Sequence, residues 1–174
     1  MPAAGAPAPL TVRRATSTDR VVLEHLWALF CHDLSPVTDE LPDSSGRFRH
    51  ERLDRALEDD AGWAASLVLR GPSPVGLVVV RSLDADERRL NSFFVVAAAR
   101  RHGHGLAAAL AVVRAHPGPW AVAFQDVNAA ARAFWPRVAS ACSDDTWTLE
   151  HLPVRGRPDL APDTWIRFTS RSAG

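Results

Sequence analysis

Between Trp63 and Val96 the chain reads WAASLVLR, then GPS, PVGLVVVRSL, a short acidic stretch, and RLNSFFVV. Each apolar segment has strand length, is rich in Val, Leu or Phe, and is bounded by turn formers, so each reads as a strand. Gly71-Pro72-Ser73-Pro74 leaves room only for a hairpin between the first two, and no crossover helix fits before the third. Three strands joined this tightly form an antiparallel meander. This excludes a doubly wound parallel sheet, whose strands must alternate with helices.

The rest of the chain is expected to build on that meander. MPAAGAPAP has little to bury and reads as a disordered tail over residues 1–9, leaving residues 10–174 as a single domain. Leu10 to Ala15 alternates as a strand. Thr16 to Asp19 supplies N-cap candidates for a helix carrying Leu23, Leu26, Trp27, Phe30 and Leu34 at helical spacing. DLSPVTDELPDSSG, from Asp33 to Gly46, reads as a loop, and RFRHERLDRALEDD as a short helix with Phe48, Leu53 and Leu57 inward. After the third meander strand, a helix is expected from Leu106, with Leu110 and Val113 on one face, ending at His116-Pro117-Gly118. WAVAFQDV is the next strand. The helix after it carries Ala131, Phe134, Trp135 and Val138 and is expected to kink or end early at Pro136. Strands WTLEHL and WIRF follow, flanking the loop PVRGRPDLAPD. The pattern is α/β (α+β): one mixed, mostly antiparallel sheet of six to seven strands with about four helices.

Size and composition narrow the functions open to such a fold. A chain of 174 residues suits one domain. No apolar run approaches the ~18–20 residues of a membrane span and no signal peptide is evident, so a cytoplasmic protein without a membrane partner is expected. A net charge of zero argues against a nucleic-acid partner. Cys31 and Cys142 lie far apart without metal-ligand spacing, and read as buried thiols with no metal. All the basic residues are Arg, and there is no Lys and no Tyr. Any chemistry here must do without a lysine amine or a tyrosine phenol.

The most pointed motif is RRHGHGLAAA, Arg100 to Ala109. Two glycines after paired arginines let backbone N–H groups approach an anion, and a helix starting beside them aims its positive dipole end at the same point. That is a phosphate cradle. GHGLAA also satisfies the dinucleotide pattern Gly-x-Gly-x-x-Ala, with Asp126 after the next strand placed to meet a ribose. The dinucleotide reading fails on register, because AAARRH separates the strand end from Gly103, and on the antiparallel meander before it.

FFVVAAARRHGHG is similar to the strand and Arg-x-x-Gly-x-Gly turn of the GNAT acyltransferase superfamily, through Arg100, Gly103 and Gly105. NAAARAFW is similar to that family's Asn-x-x-Ala-x-x-Phe-aromatic helix. The resemblance covers roughly residues 10–170. Within the family the chain resembles small bacterial acetyltransferases with a His-Asp-Leu-Ser stretch, here His32 to Ser35. It implies a sheet splayed between its two central strands and acetyl-coenzyme A as cofactor. The pyrophosphate would lie on the backbone of Arg101, His102, Gly103, His104, Gly105 and Leu106, with Arg100 beside it. The pantetheine arm would add to the edge of Phe94, Val95 and Val96. Asn128 would bond to that arm, with Ala131, Phe134 and Trp135 nearby. From the residues themselves, Asn128 is equally a helix N-cap, Phe134 and Trp135 are equally core, and the rings of His102 and His104 are expected to face solvent.

The resemblance also exposes gaps. The family's Tyr, a proton donor to the departing thiolate, is replaced by Trp135, and a Glu that often serves as base would fall near Ser92. The titratable groups left for proton removal are Asp126, His32 and Asp33, each with a structural alternative as turn former, helix C-cap or loop hydrogen-bonder. Asp33, Asp39, Glu40 and Asp43 form an acidic run that the resemblance places over the acceptor, with Asp126 near it. The expected acceptor is therefore a small cationic amine, foremost an aminoglycoside-type antibiotic, acetylated by direct attack of the amine on the thioester. A peptide, protein or polyamine acceptor, or a non-catalytic coenzyme-A-binding module, remains the alternative. A monomer or homodimer is expected.

Overall fold

A computed structural model describes residues 8–58, 60–100 and 102–171. Most of the expected tail, residues 1–7, and Arg101 of the cradle lie outside the described residues. The chain forms a seven-stranded sheet in the order β1-β2-β3-β4-β5-β7-β6: β1 (Leu10–Arg14), β2 (Trp63–Arg70), β3 (Ser73–Arg81), β4 (Arg88–Val95), β5 (Gly118–Gln125), β6 (Trp147–Leu152) and β7 (Asp163–Ser170). Among the described residues only the β4–β5 pairing is parallel; the other pairings are antiparallel. The meander expected from Trp63 to Val96 is present, with Gly71 at φ 57° turning β2 into β3.

Among the described residues four α-helices flank the sheet: α1 (Arg20–Thr38), α2 (Glu51–Leu57), α3 (His104–Arg114) and α4 (Ala129–Ser143). Two cores lie on its two sides. Against α3 and α4 pack Val78, Val80, Trp120, Val122, Ile166 and Phe168. Against α1 and α2 pack Leu67, Leu77, Val79 and Phe94, meeting Leu23, Trp27 and Leu53. β3 contributes alternately to both, which is why LVVV is a continuous apolar run rather than an alternating one. Among the described residues no helix is long and apolar enough to cross a membrane.

Three expectations need correction. The stretch from Asp33 to Thr38 is not loop: α1 runs through Pro36 to Thr38 and ends on Asp39 at φ 54°. A proline cannot donate to the carbonyl four residues back, here that of His32. The Ser35 hydroxyl donates to that carbonyl instead, at 2.8 Å, so the helix loses no partner there. Pro136 likewise does not end α4, which continues to Ser143. The second helix is shorter than expected, since Arg47 to His50 stay outside α2. Trp27 Nε1 donates to the Arg49 carbonyl at 2.8 Å and so ties the loop before α2 to α1.

Candidate functional site

β4 and β5 pair only from Arg88↔Trp120 to Leu90↔Val122, although β4 continues to Val95 and β5 to Gln125. Beyond Leu90 the strands part. The cause is local: Val79 faces Ser92 across the β3–β4 ladder and Val80 faces Leu90, so Asn91 is an extra residue, a bulge that bends and twists β4 away from β5. Phe93 stacks on Phe134 at 5.3 Å and meets Trp135 edge-on at 5.4 Å, holding α4 against the parted strand. The result is a wedge with a strand edge at Phe94 and Val95 and its vertex at Leu90↔Val122. Phe94 and Val95 are themselves buried, and Val96 N–H donates back to Val75 at 2.8 Å.

From the end of β4 the chain passes through a short turn, Ala97–Ala99, to the amino terminus of α3. Gly103 is the N-cap at φ 76°, with open space where a Cβ would stand, and it has no side chain to cap the helix. The N–H groups of Gly103, His104, Gly105 and Leu106 meet no acceptor among the described residues, the first α3 bond being Ala107 N–H to Gly103. The helix thus starts two residues earlier than expected and offers its first-turn donors to a ligand. The missing side chain of Gly105 faces the rings of Phe134, at 3.6 Å, and Phe93, at 3.9 Å, not open space. His102 Nδ1 lies 2.7 Å from the Arg100 carbonyl and His104 Nδ1 3.2 Å from that of Ala99. The two imidazoles stack on each other, with His102 exposed and His104 half-buried. Leu106 packs against the α3/α4 core.

The side chain of Arg100 turns away from the cradle. Its Nε donates to the Val95 carbonyl at 2.7 Å, its guanidinium lies 5.6 Å from the Phe94 ring centre, and it pairs with Asp33 at the far end of α1. Asp33 is therefore joined to the β4–α3 loop. Of the other acidic residues, Asp43 caps its own turn, accepting from Ser45 N–H at 2.8 Å and Arg47 N–H at 3.1 Å. Those bonds hold its carboxyl below the usual range, the Ser45 hydroxyl contributing most. Asp39 and His32 are exposed, and Glu40 is half-buried. Asn128 is the N-cap of α4, its Oδ1 accepting from Ala131 N–H at 3.0 Å, which leaves its amide NH2 for a ligand. Trp135 is 6% exposed and set edge-on to Phe134 at 4.9 Å, a core position as much as a wall of the wedge.

Asp126 follows the end of β5. Its Oδ1 accepts from Thr164 Oγ1 on β7 and its Oδ2 lies 3.1 Å from His151 Nε2 on β6. The Thr164 hydroxyl, and then His151, hold the carboxyl below the ordinary range. His151 had no sequence signal of its own, because its place beside Asp126 depends on two strand pairings. Cys31 is an inert thiol, pushed by burial up to about 11. No group of three or more His, Cys, Asp or Glu among the described residues is arranged to hold a metal.

No protein-family model matches the sequence, and no curated protein matches it. The fold, however, matches solved structures over almost its whole length. An acetyltransferase from Thermus thermophilus superimposes with a TM-score of 0.66 at 19% identity, over 94% of this chain and 99% of that one. The ribosomal-protein-S18-alanine N-acetyltransferase from Escherichia coli gives 0.62 at 12% identity, over 95% and 97%. A GNAT family acetyltransferase from Elizabethkingia anophelis, with acetyl-CoA bound, gives 0.62 at 10% identity, over 92% and 97%. The chain therefore has the fold of the GNAT acetyltransferases, as the motifs around Gly103 and Asn128 led one to expect.

Proposed function

We propose that the protein is an acetyl-CoA-dependent N-acetyltransferase. The observation that carries this reading is the wedge between β4 and β5, followed along the chain by the uncapped amino terminus of α3. An extended, amide-bearing arm ending in a diphosphate fits such a surface: strand edge for the arm, first-turn N–H groups and helix dipole for the phosphates. Bound there, the cofactor supplies an activated acetyl thioester. His102 to Leu106 would hold the diphosphate by backbone. Asn128 offers its amide NH2 to the arm, and Phe134 and Trp135 exclude water from one wall.

An incoming ammonium must lose a proton before it attacks. Asp126, expected as a base, is instead bonded to Thr164 on β7 and His151 on the outer strand β6, on the side of β5 away from the wedge. It is therefore a positioning residue for the end of β5, and the amine reaches the thioester already deprotonated, losing its proton to solvent. Asp33, tied to Arg100, positions the cradle loop rather than moving a proton, and His32 lies exposed beside it. Trp135 cannot donate to a thiolate as a phenol does, so the role of acid toward the departing thiolate is vacant or taken by water.

The acceptor is a primary amine. The polycationic, aminoglycoside-type acceptor drew its support from four carboxylates, of which Asp33 is paired with Arg100 and Asp43 is consumed by its turn. Two, Asp39 and Glu40, are left to attract it. The test is thiol release from acetyl-CoA with a panel of amino acids, aminoglycosides, polyamines and lysine peptides. Turnover dependent on one class of amine supports the reading. Tight acetyl-CoA binding with no turnover on any amine would leave a coenzyme-A-binding module instead.

A further inference from the structure

The sheet face opposite α3 and α4 is crossed by one row of residues. Trp63, Arg81, Arg89, Ala121, Arg167 and Thr148 are successive register partners on β2, β3, β4, β5, β7 and β6. Directly paired residues point to the same face, and their neighbours Leu90, Trp120, Val122, Ile166 and Phe168 point to the other, into the α3/α4 core. Three guanidiniums thus stand in line with a single alanine between them.

Their partners are unequal. Arg167 is neutralised, its Nε donating to Glu87 at 2.9 Å and its Nη1 pairing with Glu150. Arg89 and Arg167 both lie 5.3 Å from the ring centre of Trp165, which they hold in place. Among the described residues Arg89 otherwise reaches only Glu87, loosely, at 3.8 Å. Arg81 has no carboxylate partner among the described residues, and its Nε is shut off from solvent without an acceptor. Burial, then the like charges of Arg89 and Arg52, lower its pKa. Gathering like charges around a desolvated donor works against folding unless an anion completes the group.

The row sits beside the vertex of the wedge. Leu90↔Val122 is the last β4–β5 pair before the strands part, and Arg89↔Ala121 is the pair next to it. We propose that Arg81 and Arg89 bind an oxyanion, carboxylate or phosphate, carried by the same small molecule whose amine is acetylated at the vertex. This rests on the thioester lying in the wedge. Guanidinium groups pair with either oxyanion through two parallel hydrogen bonds, and Trp165 gives the rest of the acceptor an apolar floor. One strand residue spans ~3.3 Å, so the amine and the anion are separated by only a few bonds. The acceptor is an acidic amine rather than a polycation.

The test follows the Trp165 indole N–H by NMR in the full chain, assigned with Trp165→Phe, during titration with succinate and, separately, inorganic phosphate. Sodium chloride at matched ionic strength is the control. The expected result is a saturable shift with one of the two anions, which identifies the source, weakened about tenfold or more in Arg81→Gln and in Arg89→Gln. Two variants on different strands keep the test usable where one fails to fold. A second arm compares kcat/KM for amines with a free acid against their amides, where the acid is expected to be preferred about tenfold or more, chiefly through KM. An indole that ignores both anions overturns the proposal even where acetyl-CoA binds. Failure of acetyl-CoA to bind would overturn the acetyltransferase reading, while the indole shift still decides whether the oxyanion site exists.

Discussion

Replacing Arg81 by Met keeps an unbranched stem of similar reach and removes the guanidinium. In the parent chain the Arg81 Nε–H is buried without an acceptor, and an unmade buried donor costs about 1–3 kcal/mol. Repulsion from Arg89 and Arg52 acts in the same direction. Against this stand the partial solvation of the remaining guanidinium nitrogens and the imperfect fit of a new side chain. The expected net is a variant more stable by about 1 kcal/mol, or about 2–4 °C in Tm for a domain of this size. Salt separates repulsion from packing. Raising ionic strength from about 0.05 to about 0.5 M shortens the screening length severalfold, so the parent Tm rises more than that of the variant. Calorimetry of the two proteins at both salts is the assay, with Arg157→Met as a control for an arginine already paired with Asp159. A loss of more than about 1 kcal/mol at both salts would show that Arg81 is a structural partner, and would refute the reasoning behind the arginine row.

Gly103→Ala places a Cβ on a residue at φ 76° and is expected to cost about 1–2 kcal/mol in urea unfolding, whereas the Cβ of Gly105→Ala meets Phe134 and Phe93 at ordinary contact distance and is expected to be near neutral. Trp135→Phe keeps most of kcat if Trp135 is no proton donor, while Trp135→Ala at this 6% exposed position loses about 3–5 kcal/mol of stability; a kcat loss of several orders in a stable Trp135→Phe would contradict this. Asp126 is held below its ordinary range. Its contribution is therefore fully present above the unfolded carboxylate value of about 4 and is lost as pH falls through the lower folded value. Thr164→Val is expected to move the Asp126 titration, followed by NMR, back toward its ordinary value. Asp33→Asn breaks an ion pair whose side chains are 49% and 40% exposed and is expected to change stability by less than about 1 kcal/mol.

The strands and the uncapped α3 terminus were legible because their signals are local: alternation or short apolar runs, glycine at the turn, prolines at the ends. The wedge was expected only through resemblance. Its cause, the bulge at Asn91, is a mismatch between two strands that neither strand reveals alone. α1 was cut short at Asp33 because Pro36 reads as a breaker, and Ser35 stands in for the missing donor only once the helix has formed. Arg100 sits in the motif by sequence but leaves it by rotamer, drawn to Asp33 sixty-seven residues earlier. His151 and the row of Arg81, Arg89 and Arg167 were not legible at all, since strand register, not spacing along the chain, brings them together.

Hydrogen–deuterium exchange of the full chain with and without saturating acetyl-CoA tests the central claim most directly, because it asks where the cofactor lies as well as whether it binds. Protection is expected in β4 from Asn91 to Val95, in β5 from Ala123 to Gln125, and over His102 to Leu106 at the start of α3, with the outer strands β1 and β6 unchanged. Saturable binding that leaves the β4–β5 wedge and the α3 amino terminus exchanging as in the free protein would contradict the account.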